Sequence, residues 1–137
     1  EFISQNKLES RVIFLSEQPT AKNKSYRSAK DFPAIYQSAI AMIYPSTFEG
    51  FGIHVLEALF SRLPVISSNI SSLPEAGGDA AYYVDPLNAK EIAEGMKKIF
   101  YDDQLRETMK QKGLAHAQNF TPEKCAAQVM NVYKNLT

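Results

Sequence analysis

Short runs of apolar, β-branched and aromatic residues alternate along this chain with segments in which apolar residues recur at helical spacing. The runs are residues 12–15 (VIFL), 40–44 (IAMIY), 65–67 (VIS) and 80–84 (AAYYV). Strands that alternate with helices form βα units, so the pattern predicts an α/β fold with a mostly parallel, Rossmann-like sheet flanked by helices. Ligands bind beyond the carboxyl ends of such strands, which indicates the loops after Tyr44, Ser67 and Val84.

Helices are predicted between and after these strands. A short helix capped by Asp31 precedes the second strand, and a helix over residues 52–62 has a broad apolar face. A polar loop is expected over residues 16–30 and a single helical turn over residues 73–76. From about residue 88 the chain is predicted to be helical, with helix starts at Asn88 or the residues beside it, at Asp102 or Asp103, and at Thr121 followed by Pro122.

The composition excludes several classes of protein. Fifteen basic and fifteen acidic residues balance, so no basic surplus indicates nucleic acid. The apolar runs are far shorter than the roughly 20 residues of a membrane span. The single cysteine, Cys125, excludes an internal disulfide framework and fits a reducing compartment. The chain begins in mid-pattern without methionine, so we expect a piece of a longer protein; a processed or tagged terminus is the alternative.

The loop after Tyr44 carries the candidate chemistry, in the sequence PSTFEGFGIHVLEA. Gly50 and Gly52 allow a ligand to approach the backbone, and the helix start that follows favours an anion such as phosphate. Glu49 and Glu57 flank this helix start, and carboxylates accept hydrogen bonds from the vicinal hydroxyls of a hexose or a ribose. A purely structural role, with a tight turn and solvated glutamates, is the alternative. Glu57 lies among apolar residues, however, where a carboxylate needs a partner.

The sequence of residues 45–86 resembles the C-terminal domain of family 4 glycosyltransferases, which have the GT-B fold. Glu49 and Glu57 match the paired glutamates of that family, with seven residues between them. The blocks SRLPVISSNISSLPE and GGDAAYYVDP match its next two strands and loops, and RVIFL, DFPAIYQSA and the late NFTPEK segment also fit. The resemblance covers nearly all of residues 1–137, as one partial, N-terminally truncated domain.

This resemblance implies a two-domain enzyme that transfers a glycosyl group from a nucleoside-diphosphate sugar with retention of configuration. The acceptor, a glycan or a lipid-linked sugar, would bind to an N-terminal domain that we expect to be missing. No metal or other cofactor is expected. The implied location is the cytoplasm, with the inner face of the membrane as an alternative for the full-length protein. This chain alone is expected to be inactive.

The resemblance also assigns roles to individual residues. Glu49 would be the catalytic residue and contact the donor-sugar hydroxyls, and Glu57 would hold the ribose. The backbone of residues 51–53 would meet the sugar or the diphosphate, and the loop from Ser68 to Pro74 would lie close to the nucleotide. The remaining predicted donor-binding residues are therefore Gly50, Phe51, Gly52, Ile53, Ser68 and Asn69.

The sequence departs from the family pattern at three points. His54 stands where proline is common, and we interpret it as a helix-surface residue or a hydroxyl contact rather than a base. The arginine and lysine that grip the diphosphate in the family are not found, since the basic residues 22–30 come too late in the pattern. The acceptor domain is also not found.

Neither His116 nor the Asp102–Asp103 pair has the spacing of a metal site.

Two other functions remain open at this point. One is a non-catalytic nucleotide-binding or interaction module that keeps the fold without the chemistry. The other is a sugar-nucleotide epimerase of the same general architecture, which would convert its substrate with no acceptor present. The nucleotide base, the sugar, the acceptor and the oligomeric state are not specified by the sequence.

Overall fold

A computed structural model describes residues 1–18 and 31–136, which form two compact units, Glu1–Phe32 and Pro33–Thr137. In the first unit, helix α1 spans Phe2–Gln5 and a 3-10 helix spans Leu15–Glu17. Most of the predicted loop over residues 16–30 lies outside the described residues, although its first two residues belong to the 3-10 helix.

The predicted strand over residues 12–15 is wrong. Its four side chains are exposed, and the Val12 amide donates to the Leu8 carbonyl at 3.0 Å, which closes a turn. Among the described residues, the sheet contains three strands, and this segment is not one of them. A strand satisfies its backbone groups by pairing with a neighbour, and a four-residue apolar run does not supply that neighbour by itself.

The second unit alternates helices and strands in the predicted order. Its elements are α2 (Phe32–Ser38), β1 (Met42–Tyr44), α3 (Ile53–Phe60), β2 (Val65–Ser68), α4 (Leu73–Gly77), β3 (Tyr82–Val84), α5 (Ala89–Tyr101), α6 (Asp103–Ala117), a 3-10 helix (Gln118–Phe120) and α7 (Pro122–Asn135). The polar stretch between β1 and α3 forms a loop, as its glycines predict.

Strand β2 lies at the centre of the sheet and pairs in parallel with β1 and with β3. Ser67 of β2 is the register partner of Tyr44 and of Tyr83, so the three carboxyl ends lie at one edge. All four residues of β2 are buried, as expected for a strand covered on both faces. The predicted α/β fold with a parallel sheet is confirmed, with three strands among the described residues instead of four.

The core consists of two clusters that share β2. Val65 packs with residues of α3 and α4, whereas its neighbour Ile66 packs with Ile99 of α5. Successive residues of a strand face opposite sides of a sheet, so α3 and α4 cover one face and α5 covers the other. Helix α6 contributes to both clusters, through Ala117 and Met109.

The starts of α5, α6 and α7 lie where the sequence predicts them. The side chains of Asn88, Asp102 and Thr121 accept hydrogen bonds from backbone amides of the first turns of α5, α6 and α7. The apolar side chains of α5 are only partly covered, since Ile99 is buried but Met96 and Phe100 are exposed. In residues 1–18 and 31–136, no helix is long and apolar enough to cross a membrane.

Helix α3 begins at Gly52, whose φ of +107° belongs to the left-handed region. A Cβ atom on Gly52 would lie 3.0 Å from Leu73 Cδ2 and 3.1 Å from Ala76 Cβ, both on α4. Only glycine combines this backbone angle with this close approach. Gly52 therefore fixes the point at which the loop after β1 turns into α3.

Substitution of Gly52 by alanine should destabilise the fold, because the new Cβ is strained by φ and crowded by α4. We expect Gly52→Ala to lower the free energy of unfolding by about 1–3 kcal/mol. Gly50→Ala is the matched control, since a Cβ there meets nothing within 4 Å, and it should change that free energy by less than about 0.5 kcal/mol. Urea denaturation of both variants measures the difference, and equal losses of stability contradict the account.

Candidate functional site

Two loops meet at the carboxyl edge of the sheet. The glycine loop comprises residues 45–52, between β1 and α3, and the serine loop comprises residues 69–72, between β2 and α4. At the end of β2, the buried Ser68 donates its hydroxyl hydrogen to the Ser46 carbonyl at 2.6 Å. The bond ties the glycine loop to the central strand.

Glu49 is half-buried in the glycine loop, and its carboxylate is fastened to β1. The Tyr44 hydroxyl donates to Glu49 Oε1 at 2.6 Å. This hydrogen bond, with a further one from Ser46, holds the pKa of Glu49 below its ordinary value. The same bond raises the pKa of Tyr44, because loss of its proton would place two negative charges together. Glu49 is therefore an ionised acceptor with a fixed orientation at neutral pH.

Glu57 lies on the second turn of α3 and has two polar partners. The Tyr36 hydroxyl of α2 donates to Glu57 Oε2 at 3.1 Å, and His54 Nδ1 lies 3.0 Å from the same oxygen. Burial, together with the hydrogen bond to Glu57, raises the pKa of Tyr36 to about 12. The carboxylate thus has the partner that its position on an apolar helix requires.

The two glutamates belong to one polar cluster. The rings of Tyr44 and His54 pack edge to face, with centroids 5.9 Å apart. Tyr44 binds Glu49 and His54 contacts Glu57, so this ring pair connects the two carboxylates through their supporting side chains. His54 is exposed on the helix surface, where the sequence placed it.

The start of α3 lies between the two glutamates in the sequence. No side chain caps this helix, and its first carbonyl partner is Gly52, which accepts from Val55 and Leu56. The amides of Ile53 and His54 precede those bonds, and free amides at a helix start attract anions. A phosphate group between two acidic side chains is compatible with this arrangement when the carboxylates bind hydroxyls on either side of it.

An aromatic chain supports the turn between the two glycines. The ring of Phe51 packs against Phe120 at 5.5 Å, and Phe120 packs against His116 at 5.2 Å. His116 Nε2 in turn lies 3.1 Å from the Glu75 carbonyl of α4. His116 therefore packs between Phe120 and α4.

The serine loop holds the backbone of Glu49. Ser71 Oγ accepts from the Glu49 amide at 3.3 Å and donates to the Glu49 carbonyl at 3.0 Å. Ser72 Oγ donates to the same carbonyl at 3.0 Å. Both the main chain and the side chain of Glu49 are consequently fixed by the fold.

The structure brings the predicted site residues to one edge of the sheet. Gly50 and Ile53 are exposed, Phe51 is half-buried, and Asn69 is exposed in the serine loop. Ser68 is fully buried and hydrogen-bonded to the glycine loop, so it supports this loop. Contacts of these residues with a donor, and the catalytic role of Glu49, stay predictions.

Two residues that shape the site, Tyr36 and Tyr44, were not among the predicted site residues. Ser71 and Ser72 lie in the loop predicted to be close to the nucleotide, residues 68–74, but their contacts with Glu49 were missed. Tyr44 carried a usable signal, because it is the last residue of a strand whose carboxyl end meets the predicted ligand edge. Tyr36 belongs to a helix far from Glu57 in sequence, and only the packing of α2 brings them together. No periodicity or motif indicates such a contact.

A separate groove does not resemble the site of a polar ligand. An apolar groove of about 240 Å³ contains neither glutamate, and aliphatic and aromatic side chains dominate its lining: Ile40, Ala41, Ile43, Ile66, Met96, Ile99 and Phe100. In the part of the chain that the structure describes, no three His, Cys, Asp or Glu residues cluster as they would around a metal ion.

Comparison with known proteins connects this geometry to a family. Residues 3–116 match the family described as glycosyl transferases group 1. The chain is 40% identical over 111 residues to the O-antigen chain mannosyltransferase B of Escherichia coli, covering 81% of this chain and 29% of that protein. It is 33% identical over 111 residues to a D-inositol 3-phosphate glycosyltransferase of Corynebacterium aurimucosum, covering 80% and 26%.

A third relative is the O-antigen chain mannosyltransferase RfbU of Salmonella typhimurium, at 36% identity over 92 residues, covering 67% of this chain and 24% of that protein. The chain thus spans less than a third of the length of each of these relatives. The family match extends over most of the chain and includes both glutamates and both loops. This chain belongs to the group 1 glycosyltransferases, with a domain of the GT-B type.

Proposed function

We propose that this chain binds the nucleoside-diphosphate sugar of a family 4 glycosyltransferase that transfers its glycosyl group with retention. One observation carries the proposal. Glu49 and Glu57 flank the uncapped start of α3, and a tyrosine hydroxyl fixes each carboxylate. Such a site offers two oriented acceptors for hydroxyl groups and an electropositive helix start for the phosphates between them.

Each part of the donor then has a place. The sugar hydroxyls donate to Glu49, the ribose hydroxyls donate to Glu57, and the diphosphate faces the amides of Ile53 and His54. When the bond between the anomeric carbon and the diphosphate breaks, negative charge grows on the phosphate oxygens. The helix start stabilises that charge, and the carboxylate of Glu49 holds the sugar in position. The site works by positioning and electrostatics and requires no strong base.

The acceptor would bind outside this chain, which spans less than a third of its relatives. We propose a glycan or a lipid-linked sugar as acceptor. Two of the relatives are named mannosyltransferases, which favours a mannosyl donor. Transfer assays of the natural full-length protein, with mannosyl and glucosyl donors side by side, test this choice; a faster reaction with the glucosyl donor contradicts it.

Two alternatives give different results in the same assays. A sugar-nucleotide epimerase converts the donor when no acceptor is present, whereas a transferase leaves its sugar unchanged or hydrolyses it slowly. A non-catalytic nucleotide-binding module binds the nucleoside diphosphate and transfers nothing to any acceptor. The fixed orientation of Glu49, whose partner would be the sugar itself, favours the transferase.

Transfer should not depend on a metal ion, because the uncapped start of α3 supplies positive potential for the diphosphate. We expect the rate to survive EDTA. Loss of activity in EDTA with recovery in Mn²⁺ or Mg²⁺ contradicts this part of the proposal.

The two glutamates should separate nucleotide binding from transfer. Glu57→Ala should weaken the binding of the bare nucleoside diphosphate by roughly tenfold or more, since hydrogen bonds to a charged group contribute about 1.5–3 kcal/mol. Glu49→Ala should leave that binding within about twofold but lower the transfer rate, because its partner is the sugar being moved. Calorimetric titration with GDP and UDP, together with a transfer assay of each variant, measures both effects.

Glu94→Ala is the matched control, because Glu94 is an exposed carboxylate on α5 with one long contact to Lys90. It should change neither binding nor transfer. If Glu49→Ala loses nucleotide binding while Glu57→Ala keeps it, the assigned roles are reversed. If neither variant differs from the Glu94 control, the site lies elsewhere.

A further inference from the structure

Ser71 has an unusual backbone conformation for its place in the fold. Its φ is +60°, and the other non-glycine residues with positive φ among the described residues are Lys7 and Arg62. Arg62 follows the end of α3, where a left-handed residue commonly terminates a helix. Lys7 likewise follows the end of α1. Ser71 instead lies just before a helix, so helix termination does not explain its conformation.

Glycine would adopt this angle without steric cost, whereas serine has a Cβ that disfavours it. A conformation of this kind persists when the surrounding structure holds it in place, and it clusters at functional sites. The side chain of Ser71 therefore has to supply something that glycine lacks.

Its hydroxyl supplies two hydrogen bonds to one residue. It accepts from the Glu49 amide at 3.3 Å and donates to the Glu49 carbonyl at 3.0 Å. The Ser72 hydroxyl adds a second donor to that carbonyl, at 3.0 Å. Two consecutive serines of the serine loop thus bind both the amide and the carbonyl of Glu49.

We propose that Ser71 and Ser72 are positioning residues that fix the main chain of Glu49, so that its carboxylate meets the donor sugar. The inference rests on the proposed function of Glu49. Tyr44 orients the carboxylate, but a side chain is only as well placed as the backbone that carries it. The serine loop and β1 therefore fix the backbone and the carboxylate of Glu49 separately, and transfer requires both.

Ser71→Gly separates positioning from folding, because it removes the hydroxyl and also relieves the left-handed strain. We expect the unfolding midpoint in urea to stay level or rise. The transfer kcat of the natural full-length protein should fall by roughly tenfold or more, since loss of two hydrogen bonds lets the reacting geometry drift. Binding of bare GDP or UDP should stay within about twofold of wild type, as Glu57 is untouched.

Ser72 offers a test by conservative replacement. Its φ of −84° and ψ of −4° suit any residue, so Ser72→Thr keeps both the backbone and the hydroxyl. Ser72→Ala should lower kcat, and Ser72→Thr should lie much closer to wild type. Thr108→Ala is the matched control, because it removes a hydroxyl that donates to the Gln104 carbonyl within α6.

Hydrogen exchange at the Glu49 amide reports on its hydrogen bond to Ser71 without any substrate, and the exchange should accelerate in Ser71→Gly. If wild type transfers sugar and Ser71→Gly keeps its kcat, the inference is wrong while the proposed function stands. If wild type transfers nothing, the proposed function fails, and faster exchange in Ser71→Gly then describes a structural contact alone. A Ser71→Gly protein that loses stability and activity together also overturns the positioning role.

Discussion

The pairing of β2 with a parallel strand on each side determines where the glycine loop and the serine loop of the candidate site lie. Register brings the ends of β1, β2 and β3 to one edge, so the glycine loop and the serine loop are neighbours. Burial of all four β2 residues makes this arrangement costly to disturb. The hydrogen bond from the Ser68 hydroxyl to the Ser46 carbonyl then holds the glycine loop against the central strand.

The two carboxylates at this edge are held by tyrosines. Each glutamate is half-buried, and each accepts a hydrogen bond from a tyrosine. The bond to Glu49 raises the pKa of Tyr44, and burial together with the bond to Glu57 raises the pKa of Tyr36. The tyrosines are neutral donors, so they orient the carboxylates without cancelling their charge. The glutamates therefore remain strong acceptors for hydroxyl groups. An arginine or lysine in place of either tyrosine would compete with those hydroxyl groups for the carboxylate oxygens.

Local signals in the sequence predicted much of this structure. The caps at Asn88, Asp102 and Thr121 were predictable because a cap is a contact between residues two or three positions apart. The predicted strand at residues 12–15 failed because a strand depends on a distant partner. Two contacts were missed for the same reason, because each joins residues more than 20 positions apart. They are the hydrogen bond of Tyr36 with Glu57 and the hydrogen bonds of Ser71 with the backbone of Glu49. The left-handed angle of Ser71 was also hidden, because serine, unlike glycine, gives no sign of it.

The central claim is that the edge formed by Glu49, the start of α3 and Glu57 holds a nucleoside-diphosphate sugar. A crystal structure of the natural full-length protein, with whichever of GDP or UDP binds it, tests this claim most directly. We predict that the diphosphate lies against the amides of Ile53 and His54, with the ribose hydroxyls on Glu57 and the space for the sugar beside Glu49. A nucleotide that contacts neither glutamate contradicts the claim.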